Sequence, residues 1–238
     1  MKFLQLVCIE NETTDEQNAI MGREIFPWVE DTVARRINIT GKPLAPPASA
    51  RTVRVRSGET VISDGPFADT KEFIGGFDLL ECRDMDEAIE VAAKHPVAWF
   101  NLIELRPLLE DGDVSNFVDP ARLKQMLLVC VNGIAEAAEV EDQIGRDVEA
   151  WVVEAKASGV RLAGAPLAGL EQAKTVRVRD GQTIVSDGPF TETKEFLGGF
   201  DLLECDSFEE AVGWAAKHPI ARFHQIEVRE FVDLVAQG

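Results

Sequence analysis

The chain has 238 residues, 45% hydrophobic and 28% charged, with 24 Lys and Arg against 42 Asp and Glu for a formal charge of -18. That is ample apolar material for one or two soluble globular domains and excludes a disordered tail. A charge of this size and sign repels phosphate backbones and anionic lipid heads, which sets aside nucleic acid and membrane surfaces as partners.

Phe3 to Ile9 is a short apolar run fit for a buried strand, and it turns acidic by Glu10 without the apolar length or cleavage site of a secretory signal. No stretch approaches the roughly 18 apolar residues that span a bilayer. Cys8, Cys82, Cys130 and Cys205 each sit in a strand-like run with no Cys or His two to four residues away. Buried reduced thiols in a cytoplasmic protein are therefore expected, with no metal site and no disulfide framework. Next, Met21, Ile25, Trp28, Val29 and Val33 fall on one helical face, with Pro27 predicting a kink or a late start. Val53 and Val55 alternate with Arg54 and Arg56, and Ser57-Gly58 turns the chain into Thr60 to Ser63, the pattern of a hairpin. Gly75 to Cys82 reads as a further strand. A helix opening with Asp84 and Glu87 at capping-box spacing stops at His95-Pro96, and Phe100 to Arg106 closes the series as a strand.

The same series is then written again. Residues 52 to 106 and 175 to 229 match at 36 of 55 positions without a gap, at an offset of 123. Two copies of this length indicate a duplicated domain rather than a solenoid. The acidic stretch 108 to 120 suits a connector, giving domains 1–119 and 120–238. In the second copy Val140, Ile144, Val148, Trp151, Val152 and Ala155 form the helical face. The order is β-α-β-β-α-β with an extra hairpin, an α+β, ferredoxin-like plan that leaves one sheet face in need of cover. The twin copy can supply it, predicting two sheets face to face as a pseudo-dimeric α+β barrel with a pair of clefts related by a pseudo-twofold axis.

Ser63-Asp64-Gly65-Pro66-Phe67, Thr70-Lys71-Glu72 and Gly75-Gly76-Phe77 recur as Ser186 to Phe190, Thr193-Lys194-Glu195 and Gly198-Gly199-Phe200. Joined to the preceding TVRVR hairpin and occurring twice, this set resembles the YCII-related family in its DGPF branch over nearly the whole chain. The resemblance implies a ferredoxin-like fold of the dimeric α+β barrel superfamily. Single-domain members pair as homodimers, a pair that a tandem chain can build within itself, and further homo-oligomers are left open. It implies no well-established reaction, and some members look associated with extracytoplasmic-type sigma factors. A His and Asp pair with the His on the first helix is proposed for smaller relatives. The segments 15–36 and 136–158 contain no His, the three being His95, His218 and His224, so none is carried over.

Asp64 and Asp187 read either as turn carboxylates, since Asp-Gly-Pro is good turn chemistry, or as pocket proton acceptors. Lys71-Glu72 and Lys194-Glu195 read either as exposed ion pairs or as part of an anion site. Arg54, Arg56, Arg177 and Arg179 can select carboxylate or phosphate groups, or pair across strands with acids such as Glu104 or Glu227. His95 and His218 end helices, where a protonated imidazole suits the dipole. Trp28 and Trp151 read as packing anchors. The leading functional reading is a small-molecule protein that binds a small organic anion, with cofactor-free proton transfer of isomerase or lyase type. The alternative is a non-catalytic protein-binding or regulatory module, and the residues alone leave open whether the chain is an enzyme.

Overall fold

The structure is a computed structural model and describes residues 1–67, 72–109, 113–115, 117–132, 138–190 and 195–233. The first half runs β1 (Lys2–Ile9), α1 (Asp15–Ala34), β2 (Asn38–Pro43), β3 (Arg51–Arg56), β4 (Glu59–Asp64), β5 (Phe73–Glu81), α2 (Met85–Lys94) and β6 (Leu102–Pro107). The second repeats it as β7 (Gln125–Asn132), α3 (Ala138–Ala157), β8 (Arg161–Pro166), β9 (Lys174–Arg179), β10 (Gln182–Asp187), β11 (Glu195–Leu203), α4 (Phe208–Lys217) and β12 (Gln225–Glu230). No helix among the described residues is long and apolar enough to cross a membrane.

Helix α1 starts under a capping box. The Gln17 N–H donates to Thr14 Oγ1 at 3.2 Å and the Thr14 N–H to Gln17 Oε1 at 2.9 Å. It runs through Pro27 instead of starting after it. Pro27 and Arg23 are exposed, so the carbonyl that loses its donor can be hydrated. Trp28 and Trp151 are buried and donate Nε1–H to the carbonyls of Val91 at 3.1 Å and Trp214 at 3.2 Å, which locks each long helix onto the shorter one of its own half.

The strands form two six-stranded sheets in the orders β10-β9-β6-β1-β5-β2 and β4-β3-β12-β7-β11-β8. Each half has therefore given its hairpin to the other. Strand β3 pairs β12 through Val53 with Ile226 and Thr52 with Glu227, and β9 pairs β6 through Val176 with Ile103 and Thr175 with Glu104. The hairpins turn on Ser57-Gly58 and Asp180-Gly181, all four with positive φ, the geometry whose twist matches a two-residue connection. Arg56 fastens the first hairpin by donating to the carbonyls of Ala221 (3.0 Å) and His224 (3.1 Å), and Arg179 fastens the second on those of Ala98 (2.9 Å) and Asn101 (3.0 Å).

Strand alternation divides the apolar residues into three cores. Leu4, Leu6, Cys8, Phe77 and Leu79 of one sheet meet Met126, Leu128, Cys130, Phe200 and Leu202 of the other. The outer faces carry the helices. Phe3, Leu80, Ile103 and Val176 pack with Trp28 and Val91, while Val53, Leu127, Leu203 and Ile226 pack with Trp151 and Trp214. The expected face-to-face pairing is thus present, but the sheets do not close into one barrel. Among the described residues they meet at their corners through isolated bridges, Leu44 with Phe231 and Leu108 with Leu167. Two described residues of the connector reach the outer edges: Asp113 exchanges two backbone hydrogen bonds with Gly164 of β8, and the Val118 N–H reaches the Ile39 carbonyl of β2 at 3.4 Å.

Candidate functional site

On the inner face of β6, Leu102, Glu104 and Arg106 share the side opposite Ile103 and Leu105. On β12, Gln225, Glu227 and Arg229 do the same. Glu104 and Arg106 are 2% and 1% exposed, and Glu227 and Arg229 equally buried. Within each strand the two form an ion pair: Arg106 Nη1 lies 3.4 Å from Glu104 Oε1, and Arg229 Nη1 3.0 Å from Glu227 Oε1. The remaining Nη2 groups donate to the carbonyls of Ala168, at 3.0 Å, and Ala45. The Nε atoms of both arginines are buried without a hydrogen-bond partner among the described residues.

The Asp-Gly-Pro-Phe loops complete this arrangement from the opposite repeat. Gly65 and Gly188 take φ of +93° and +89°, a left-handed bend that a side chain would strain. The Thr52 hydroxyl donates to the Gly65 carbonyl at 2.9 Å, and Thr175 to Gly188 at 3.0 Å. Proline then directs the chain so that the Phe67 N–H reaches Glu227 Oε2 at 3.0 Å, while the Phe190 N–H reaches Glu104 Oε2 at 3.0 Å. Burial pushes the Glu104 carboxyl above its ordinary range, against the lowering effect of Arg106 and the Phe190 N–H. Burial pulls Arg106 downward, opposed by Glu104.

These groups line a cavity of about 60 Å³ between the sheets. Its wall is written in pairs at the repeat offset: Pro66 with Pro189, Phe67 with Phe190, Glu72 with Glu195, Phe73 with Phe196, Ile74 with Leu197, Glu104 with Glu227, and Arg106 with Arg229. The cavity therefore lies on the pseudo-twofold axis.

Each half matches one family model, that of the YCII-related domain, over residues 3–110 and 126–234. The chain belongs to the YCII-related family. An uncharacterised protein of Rhizobium meliloti is 49% identical over 49 residues, which are 21% of this chain and 40% of that protein, so the match spans about two-fifths of the relative's length.

In this YCII-related chain the residues singled out from sequence separate into four groups. Glu72 and Glu195 line the cavity. Asp64 and Asp187 do not: their side chains are 86% and 85% exposed, at the far ends of β4 and β10, with Asp64 Oδ1 3.1 Å from Arg51 Nε and Asp187 paired with Lys174. Lys71 and Lys194 lie outside the described residues. Among the arginines, Arg54 donates to Gln225 Oε1 (Nε at 2.6 Å), whose Nε2–H reaches Glu195 Oε2 at 2.5 Å, so it touches the rim through one intermediary. Arg177 pairs with Glu10 at 2.8 Å. Arg56 and Arg179 hold backbone carbonyls, as described, and have no acid of the central strands as partner; Glu104 and Glu227 pair with Arg106 and Arg229.

The protonated imidazoles expected at the helix ends are not formed. His95 and His218 are buried and accept through Nδ1 from the N–H groups of Val97 (3.2 Å) and Ile220 (3.3 Å). Burial pushes His95 down to about 3 and lowers His218 as well. Among the described residues no group of three or more His, Cys, Asp or Glu side chains could hold a metal ion. Arg106 and Arg229 were not legible as site residues. The signal was the Ile-Glu-x-Arg written at the end of both copies, where alternation puts Glu and Arg on the same face as the apolar run of β1 or β7 beside them.

Proposed function

We propose that this chain binds a small organic anion in the inter-sheet cavity and moves a proton on it without a cofactor. The observation that carries this reading is the buried Glu–Arg pair doubled about one cavity, each glutamate held by a backbone N–H from the opposite repeat's Asp-Gly-Pro-Phe loop. A carboxylate in such a place is oriented for general-base work, and burial raises the basicity of Glu104. A neighbouring guanidinium stabilises the charge that develops on oxygen. Together they suit proton abstraction next to a carbonyl. The C–H proton passes to a glutamate oxygen, the bonding pair becomes the enolate, the arginine holds its oxygen, and the proton returns either to that oxygen, giving the enol tautomer, or to the same carbon, restoring the keto form. Asp64 and Asp187, each paired with a cation at the strand end, support the loops from outside.

The test is α-proton exchange of three- and four-carbon keto acids in D₂O, followed by NMR. The wild-type chain is expected to exchange the α-protons of at least one above the buffer rate. Glu104→Gln with Glu227→Gln is expected to lower this by 100-fold or more, general-base catalysis being worth about 10²–10⁴. Exchange unchanged in the double variant would overturn the assignment.

A further inference from the structure

Resting on that reading of the glutamates as bases, we propose that Thr52 and Thr175 are positioning residues: each hydroxyl holds the loop whose amide serves the buried glutamate of the opposite repeat, and so governs how readily that glutamate takes up a proton. The contacts form a closed ring, written twice. Thr52 stands directly across the ladder from Glu227, and Thr175 from Glu104, so hydroxyl and carboxylate share the inner face. Both threonines are buried. Each hydroxyl donates to the glycine carbonyl of its own loop, Thr52 to Gly65 at 2.9 Å and Thr175 to Gly188 at 3.0 Å. The same glycines are held from their other side, the Gly65 N–H donating to the Ala50 carbonyl at 2.9 Å and the Gly188 N–H to that of Ala173 at 3.0 Å. Proline carries no N–H, so with the glycine fixed at both its groups the phenylalanine amide is the first donor the loop has left. It goes to the glutamate Oε2 at 3.0 Å in both repeats. For Glu104 this amide is nearer than the guanidinium of Arg106, which stands 3.4 Å from Oε1. Burial raises the Glu104 carboxyl, and the Phe190 N–H opposes this because it favours the charged form. A loop set loose from Thr175 therefore leaves the carboxyl holding its proton to higher pH. The other ionisable groups described around Glu104 are Arg106 on its own strand, Cys8 on β1, Arg177 on β9 and, in the cavity wall, Glu72, Glu195, Glu227 and Arg229. Substitution of Thr175 removes none of them.

Carboxyl ¹³C NMR of the full chain, labelled at the glutamate side chains and titrated with acid, tests this, the Glu104 resonance being the one lost in Glu104→Gln. Thr175→Val is expected to move the Glu104 midpoint up by about one pH unit, the worth of a hydrogen bond to a charged group. Thr175→Ser keeps the hydroxyl and is expected to titrate as wild type. Thr52→Val frees the other loop and is expected to move Glu104 much less. An unmoved midpoint in Thr175→Val, or an equal shift in Thr52→Val, would overturn the assignment and leave the proposed function standing. Should Thr175→Val fail to fold, the wild-type chain decides: the Phe190 amide proton is expected to shift with the same midpoint as the Glu104 carboxyl, and an amide that does not follow it would overturn the assignment. The α-proton exchange assay is read separately. Its absence in a wild-type chain whose Glu104 responds to Thr175 as expected would overturn the proposed function and leave the threonine's hold on the loop in place.

Discussion

In the first repeat Asp78 lies under the helices with Gln5 Nε2 2.8 Å from Oδ2, Asn38 Nδ2 3.3 Å from Oδ1 and His95 Nε2 3.8 Å from Oδ2. In the second, the equivalent Asp201 receives Nε of Arg161 at 2.6 Å, Arg161 reaches on to Asp113 at 2.7 Å, and His218 Nε2 stands 3.7 Å away. Arg161 occupies the place of Asn38, and Leu127 that of Gln5. Both carboxylates are buried under a histidine packed edge-on to a tryptophan, Trp28 on His95 and Trp151 on His218. They are neutralised by different means. Burial pushes Asp78 up to about 7, so a proton removes its charge through most of the acid range, while Asp201 is met by a guanidinium. A buried acid demands compensation, and a duplicated chain can change its form without changing the fold. Gly41 and Gly164, which stand at the repeat offset from each other, belong to this device: a Cβ at Gly41 would run into the Asp78 carboxylate, and one at Gly164 into that of Asp201.

The sharpest way to break this comparison is to remove the cation. Arg161→Met leaves Asp201 buried and uncompensated and is expected to cost about 3–5 kcal/mol. Asn38→Ala removes a weaker bond and is expected to cost about 1 kcal/mol. Urea denaturation at pH 7 measures both, and equal losses would mean that the two sites work alike.

A smaller effect appears as a function of pH. The native state holds a proton on Asp78 that the unfolded chain has released between 3.8 and about 7, so this group makes stability fall as pH rises across that window. His95, lowered from 6.5 to about 3, lacks in the native state a proton that the unfolded chain carries there, so it makes stability rise with pH. The two slopes oppose each other from 3.8 to 6.5. Asp78→Asn removes one and leaves the other, so the variant is expected to lose stability on acidification below 6.5 more steeply than wild type, by up to about 1.4 kcal/mol per pH unit. Parallel profiles of denaturation midpoint against pH would contradict it.

Where the repeats agree, so should their variants. Thr52→Val and Thr175→Val each strip a hydroxyl from a matching glycine carbonyl, and each is expected to cost about 1 kcal/mol by the same denaturation assay.

The sequence made much of the fold readable because local periodicity carries it. The helical face around Trp28, the Ser57-Gly58 turn and the cap at Asp84 all follow from residues within a few positions of one another. The hairpin exchange does not. With the repeats so alike, β3 meets nearly the same edge whether it pairs β6 or β12, and nothing within Thr52 to Arg56 distinguishes Ile103-Glu104 from Ile226-Glu227. The site was hidden for a related reason. Glu104 and Arg106 alternate with Ile103 and Leu105 as on any half-solvated strand, and only the second sheet, a hundred residues away, turns that polar side into an interior. Asp64 and Asp187 drew notice as members of a repeated motif, yet it is the amide of the phenylalanine three residues on that reaches the buried glutamate.

The exchanged hairpins bear on how such a gene can change. A substitution that loosens Arg51 to Asp64 tears at a ladder owned by the other repeat, and the same holds for Lys174 to Asp187. Neither copy can be retired, or recruited to a new task, without dragging its sibling along, so the duplication that fused them also took away their freedom to part.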